Sequence, residues 1–233
     1  TNSDFLGQGT IMFEKQKPIQ KDKLHDQVYE RLCTMLRQGE FNPGESVPVA
    51  RIAKAFDISP MPVREALMRL QAMGVLSNVS GRSVGVPEVT IKNLTDLRNV
   101  RLEVETKAVE WSIKNSNKDF IKDLLVLFDG LIDAEERHDI QSFIKRNYAF
   151  HFRLYEQSDS PVLMQIIDNL WLKVSPILYH SKWVGRFKWS NDNHKAIIDA
   201  VSSHDIPGAR AALTEDITRS YDELINSFSD EIK

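Results

Sequence analysis

The stretch Ser59-Pro60-Met61-Pro62-Val63-Arg64-Glu65-Ala66-Leu67 decides how the first third of this chain folds. Pro60 and Pro62 hold φ near the helical value and carry no N–H, so both suit the first turn of a helix, where those groups lack an intrahelical partner. Ser59 is placed as the N-cap, its hydroxyl able to accept from the free N–H groups of that turn. A helix is therefore expected to start near Pro60, to bury Val63, Ala66, Leu67, Leu70 and Met73, and to stop at Gly74. Met61, Arg64, Glu65 and Met68 remain on another side, which leaves the start of this helix exposed and basic.

Upstream, only Asp57-Ile58-Ser59 separates this helix from a short one over Pro48 to Phe56, with Ile52, Ala53 and Phe56 on one side and Pro48 in the first turn. Before that, Leu24, Val28, Leu32 and Met35/Leu36 fall at helical spacing across Lys23 to Gln38, and Gly39 is placed to end the run. Residues 1–20, with Gly7, Gly9 and Pro18 and no period, read as a flexible segment. Downstream, the runs Val75 to Val79 and Ser83 to Val86 flank Gly81-Arg82 and predict a hairpin. Three helices and a hairpin over residues 21–87 make a winged helix-turn-helix.

Charge agrees with that reading. The 233 residues hold 30 basic and 33 acidic side chains, a net of -3, yet the window 51–82 has Arg51, Lys54, Arg64, Arg69 and Arg82 against only Asp57 and Glu65. A basic face within an acidic protein suits a polyanion. In a winged helix the third helix enters the major groove, where Arg64 is placed to give guanine two parallel hydrogen bonds, with Met61 beside it. Arg51, Lys54, Ser59 and Arg82 are better suited to phosphates, which position the protein without reading sequence.

The composition, 42% hydrophobic and 27% charged, excludes disordered and fibrous classes. Cys33 is the only cysteine, so no intrachain disulfide and no thiolate metal centre is expected. The apolar runs fall short of the roughly 18 to 20 residues that a membrane helix needs, and no secretory signal is visible. Together these features suggest a cytoplasmic protein with no membrane partner.

Tyr29, Gly39, Pro43-Gly44, Ile52-Ala53, the Ser59 to Leu67 stretch, Leu70, Gly74 and Gly81 closely resemble the DNA-binding domain of GntR-type bacterial transcription regulators, over about residues 24–87. The resemblance implies a regulator, expected to be a repressor, bound to double-stranded operator DNA as a homodimer. Two departures bear on its operator. Pro60 stands where the family usually has arginine, and Ala50 stands where another arginine is common, with Arg51 beside it.

After a linker over residues 88–93, residues 94–230 carry helical periodicity without strand-like alternation. Six helices are expected, over residues 94–114, 120–137, 139–157, 161–181, 190–203 and 207–228, with Pro176 kinking or ending the fourth. About 140 residues of antiparallel helices can bury a core of their own. The fold class is thus mainly α, a winged helix-turn-helix followed by an all-helical bundle. The second part is similar to the FCD effector domain of the FadR branch, in its six-helix form.

Polar residues on otherwise apolar stripes mark the candidate site. Arg101 shares a stripe with Leu97, Val104, Ala108 and Trp111, and a buried cation needs a partner. That partner is either Glu105, one turn away, or the carboxylate of a ligand; the FCD resemblance implies a small organic acid bound near an arginine at this place. Asn147 and His151 share a face with Phe143, Phe150 and Leu154, while His194 and Asp216 border apolar stripes of two later helices. In metal-binding FCD proteins the corresponding positions hold aspartate and three histidines. Here Asn147 replaces the aspartate and Asp216 replaces one histidine, which still leaves two imidazoles and a carboxylate for zinc, nickel or iron. Structural core histidines, a metal-free pocket for a larger acyl ligand, and a helical metalloenzyme with an accessory nucleic-acid-binding module are the competing readings. No nucleophile-base arrangement supports the enzyme. His25, His138, His180 and His204 are expected at the surface or at helix ends, and Trp171, Trp183 and Trp189 in the core or a pocket wall.

Overall fold

The computed structural model describes residues 23–81, 83–178 and 191–231, which form nine α-helices and one two-stranded sheet. The flexible segment expected over residues 1–20, as well as Arg82, His180, Trp183 and Trp189, lie outside the described residues.

Helix α1 (Lys23–Arg37) packs on α3 (Pro60–Ala72), and α2 (Val49–Ala55) closes the trio. Val28, Leu32 and Leu36 of α1 meet Val63, Leu67 and Leu70 of α3 in one apolar core. Each of these helices ends the same way. At Gly39 (φ 67°) and Gly74 (φ 66°) the chain turns into the left-handed region, and the next N–H bonds back to a carbonyl of the last turn, Glu40 to Met35 at 3.0 Å and Val75 to Leu70 at 3.0 Å. Asp57 (φ 54°) does this without being glycine. The tight α2–α3 turn is therefore built on a residue that adopts the left-handed conformation at a cost of about 1 kcal/mol or more.

Strands β1 (Ser77–Ser80) and β2 (Ser83–Gly85) pair antiparallel as the expected hairpin, with Gly81 at φ 55° in its turn. The first strand begins two residues later than predicted. Val75 and Leu76 are each only 2% exposed, because they anchor the end of α3 in the core rather than extend the ladder. Gly85 bridges to Ser46, and a side chain there would run into the Glu45 carbonyl, so this crossing admits only glycine.

The helical part comprises α4 (Ile91–Lys114), α5 (Lys118–Glu136), α6 (Ile140–Glu156), α7 (Pro161–Leu178), α8 (Asp192–Ser202) and α9 (Ile206–Glu231). Helix α4 starts three residues before the expected Leu94, because Thr90 caps it by accepting from the Asn93 N–H at 3.1 Å. Asn117 and Asp139 cap α5 and α6 in the same manner, at 2.8 and 3.0 Å. Pro176 does not end α7, which continues to Leu178 with the proline buried inside it. No helix among the described residues is long and apolar enough to cross a membrane.

Helix α7 belongs to both halves. Ile167, Trp171, Val174 and Leu178 face the bundle core, whereas Leu172, fully buried, completes the core of the winged helix. Asp168 receives a 2.6 Å hydrogen bond from Arg37, and the Asn169 amide donates to the Met73 carbonyl at 3.2 Å. Three residues of one helix thus fasten the two parts together.

Candidate functional site

Two groups of residues carry the candidate chemistry, one facing outward and one inward. On the outer face, Arg51, Lys54, Ser59, Met61 and Arg64 are all exposed. Ser59 occupies the N-cap position with extended backbone, yet its side chain makes no capping hydrogen bond, contrary to expectation. One local factor is that a capping oxygen accepts from the second or third residue of the helix, and the third here is Pro62, which has no N–H and leaves only Met61 as a donor. The hydroxyl is left available to another partner. Glu65 is paired with His25 of α1. Arg69 lies 3.7 Å above the Tyr29 ring and 3.7 Å from Asp26, so its charge is engaged within the protein. Arg64 instead lines a groove with Met68, Ser83 and Val84, between α3 and the hairpin.

Inside the bundle, the first of the two partners considered for Arg101 is present. Its Nε donates to Glu105 Oε1 at 2.6 Å and its Nη2 to Oε2 at 3.1 Å. Both side chains are buried, and a guanidinium-carboxylate fork of this kind stays charged because each partner satisfies the other. The Arg101 guanidinium carbon also sits 4.7 Å from the Trp171 ring and 5.6 Å from that of Tyr221. The buried face of α4 is therefore turned toward Glu105, and Trp111, expected on the buried stripe, is 38% exposed. Glu105 takes one hydrogen from Nε and one from Nη2, which leaves the second Nη2 hydrogen and both on Nη1 unused by it.

The pair continues into a relay. The Tyr155 hydroxyl lies 2.6 Å from Glu105 Oε2 and 3.2 Å from His151 Nδ1, and burial pushes its pKa well up, so it remains a phenol. An ionised Glu105 only accepts, hence Tyr155 donates to it and accepts in turn from Nδ1–H of His151. That arrangement directs the other ring nitrogen, Nε2, at Asp216 Oδ2, 3.3 Å away. Burial opposes ionisation of Asp216, but the fields of His194 and His151 and the His151 hydrogen bond outweigh it and hold its carboxyl down at about 2.

His194 completes the cluster. Its Nε2 is 2.8 Å from Asn147 Oδ1, while its Nδ1 is buried with no hydrogen-bond partner. Burial pushes its imidazole down to about 4, against the pull of Asp216, so the ring is neutral near pH 7. One ligand atom from each of His151, His194 and Asp216 falls within 4.8 Å of the others. The four polar residues singled out in three helices of the sequence therefore do converge. Tyr155 was missed, although its position four residues after His151 puts it on the same helix face.

Trp171, on α7, links this cluster toward the winged helix. It lies 5.6 Å from the His151 ring and 5.5 Å from Tyr148, and Tyr148 in turn is 5.9 Å from the Arg37 guanidinium. His138 and His204 end α5 and α8 with positive φ, in agreement with their expected places.

A winged helix with an exposed basic recognition face, joined to a helical bundle with a buried polar cluster, defines a DNA-binding regulator with a sensing domain. Residues 96–219, more than half of the chain, match the FCD domain family, and residues 24–86 match the family described as bacterial regulatory proteins, gntR family. The chain belongs to the GntR family of transcription regulators, in the branch that carries an FCD domain. It is 29% identical over 192 residues to the HTH-type transcriptional regulator McbR of Escherichia coli K12, covering 81% of this chain and 87% of that protein. It is 27% identical over 221 residues to the transcriptional repressor NanR of Enterobacter sp. strain 638, covering 85% and 84%. The solved structure of E. coli McbR/YncC superposes with a TM-score of 0.78 at 27% identity, covering 88% of this chain and 98% of that one. These relatives are regulators, and the metalloenzyme reading finds no support among them.

Proposed function

We propose that the protein is a cytoplasmic, dimeric repressor whose hold on operator DNA is set by a small carboxylate bound beside a divalent cation in the helical domain. Arg64 and Met61 face the bases, Arg51, Lys54, Ser59 and Arg82 the phosphates, and Asn147, His151, His194 and Asp216 hold the cation. The observation that carries the inner part is the approach of His151 Nε2 to Asp216 Oδ2 at 3.3 Å, with Nδ1 already committed to Tyr155. Two acceptors that face each other need a positive charge between them. A proton on Nε2 joins that pair as a hydrogen bond, whereas a cation would take one ligand atom from each of His151, His194 and Asp216, which lie within 4.8 Å of one another.

A bound zinc, nickel or iron ion supplies the largest local positive charge and draws a carboxylate toward it. The chain's own residues do the rest. Arg101 and Glu105 cancel each other's charge and, through Tyr155, hold His151 in the tautomer that leaves Nε2 free. The Arg101 N–H groups that Glu105 does not use are the donors available to a ligand carboxylate. Trp171, a residue of α7, lies between the His151 and Tyr148 rings, so a ligand that moves Trp171 bears on the helix that fastens the winged helix. The identity to a named repressor supports the sign of regulation.

The test is metal content and operator affinity of the whole protein. The native dimer should retain about one zinc, nickel or iron ion per chain, His194→Ala should lose it, and Asn147→Asp should hold it more tightly. Small mono- and dicarboxylates should weaken operator binding by the metal-loaded protein, and Arg101→Lys should blunt that response. Failure of the chain to take up zinc, nickel or iron at micromolar concentration would falsify the metal-bridged site and leave His151–Asp216 as an ion pair.

A further inference from the structure

The outward face of α3 is narrower than its composition suggests. Counting 100° per residue, Met61 and Met68 stand at its centre, with Arg64 on the hairpin side and Glu65 and Arg69 on the α1 side. Glu65 and Arg69 are held by His25, Asp26 and Tyr29. Met61 and Met68 are 56% and 57% exposed, so neither contributes to the core that α3 forms with α1. In the first turn, where residues reach base edges, only Met61 and Arg64 point outward, because Pro60 carries no long side chain and Pro62 and Val63 are buried.

We infer that Met61 reads the 5-methyl group of a thymine next to the guanine bound by Arg64, which makes it a residue that sets operator specificity. A methionine side chain has no donor and only a weak acceptor, so it cannot read the hydrogen-bonding pattern of a base pair. The apolar feature that the major groove offers is the thymine methyl. Arg64 lies three residues further along the helix, about 4.5 Å of rise, and base pairs are spaced by about 3.4 Å. The two side chains therefore fall on neighbouring or next-but-one base pairs. An unbranched, polarizable thioether also follows a methyl group that shifts with local DNA shape. This inference rests on Arg64 as the base reader.

The test begins with selection of duplexes from a random library by the full-length protein. The enriched half-site should hold a guanine with a thymine one or two base pairs away. Replacing that thymine by deoxyuridine removes only the methyl group. Wild type should lose about fourfold in affinity per half-site, and about fifteenfold for a two-fold site, as expected for loss of one buried methyl. Met61→Ala should bind the thymine duplex as weakly as wild type binds the uracil duplex and should not distinguish the two, whereas Met61→Leu should keep the discrimination. Arg64→Ala serves as the control, and should lose selected over random duplex while its oligomeric state stays the same.

Equal affinity of wild type for the thymine and uracil duplexes, or retained discrimination by Met61→Ala, overturns the inference and leaves Arg64 standing. A change of oligomeric state in Met61→Ala also overturns it, and assigns the exposed methionine to a protein contact. If Arg64→Ala weakens selected and random duplexes alike, or no duplex is enriched, base reading by this face fails and the inference fails with it.

Discussion

The winged helix and the helical bundle use polar residues in opposite ways. Within residues 23–86 the buried side chains are apolar, and Arg51, Lys54, Met61 and Arg64 point to solvent. In the bundle the buried set includes Arg101, Glu105, His151 and His194, all enclosed by apolar helices. An outward site places no demand on the core beneath it, because water solvates its charges in the absence of DNA. An inward site must satisfy each polar atom within the protein, since an unpaired buried group is costly. The bundle meets that demand with the chain Arg101–Glu105–Tyr155–His151–Asp216, while His194 Nδ1, Trp171 Nε1 and the Tyr221 hydroxyl are among the buried atoms of the described residues left without a hydrogen-bond partner.

The sharpest way to break this division is through Leu172, a bundle residue whose side chain lies in the winged-helix core. Leu172→Ala should lower the stability of the winged helix by about 3 kcal/mol, as for other fully buried leucines. Amide exchange should accelerate in α1 and α3 and stay slow in α6. Uniform acceleration in all three would mean that the two cores behave as one.

A smaller effect should come from His194. Its folded-state pKa of about 4 lies below the ordinary 6.5, so as pH falls the unfolded chain takes up the proton first. Stability is therefore lost between pH 6.5 and 4, by roughly 2 kcal/mol on going from pH 7 to pH 5. Urea unfolding of chelator-treated protein at these two pH values should show the loss, and His194→Gln should flatten it. Parallel profiles for the two proteins would contradict a buried, neutral His194.

The smallest change in stability, about 1 kcal/mol or less, is expected for Asp168→Asn, which keeps the shape but weakens the ion pair with Arg37. Its value lies in the coupling. If α7 transmits the state of the bundle, operator affinity should respond less to a bound carboxylate in this variant than in wild type, at unchanged carboxylate affinity. An undiminished response would place the coupling elsewhere.

The two halves also differed in how far they could be read from sequence. In the winged helix, the Ser59 to Leu67 stretch located α3, and Gly39 and Gly74 located the ends of α1 and α3, because caps and breakers act on neighbours in the chain. Ser59 was the exception in detail. Its side chain makes no capping bond, and Pro62 removes one of the two N–H groups that could have given it. In the bundle, helical periodicity located the helices, and the stripes around Asn147, His151, His194 and Asp216 marked them as inward. The partner of Arg101 could not be chosen from spacing, since Glu105 at i+4 and a ligand both satisfied the same charge.

The sequence by itself determined the winged helix, its outward basic face, the helical bundle and the set of polar residues turned inward, because each depends on short-range periodicity or capping. Only the tertiary structure decided that Arg101 pairs with Glu105, that Tyr155 orients His151 toward Asp216, that Glu65 and Arg69 are tied to α1, and that Leu172 belongs to the other domain's core. Apart from the Arg101–Glu105 fork and the Tyr155–His151 step, these contacts join residues 40 to 144 positions apart. A repeating pattern along one helix specifies which face is buried, but not which neighbour it meets, and that choice is made by the packing of helices brought together from distant parts of the chain.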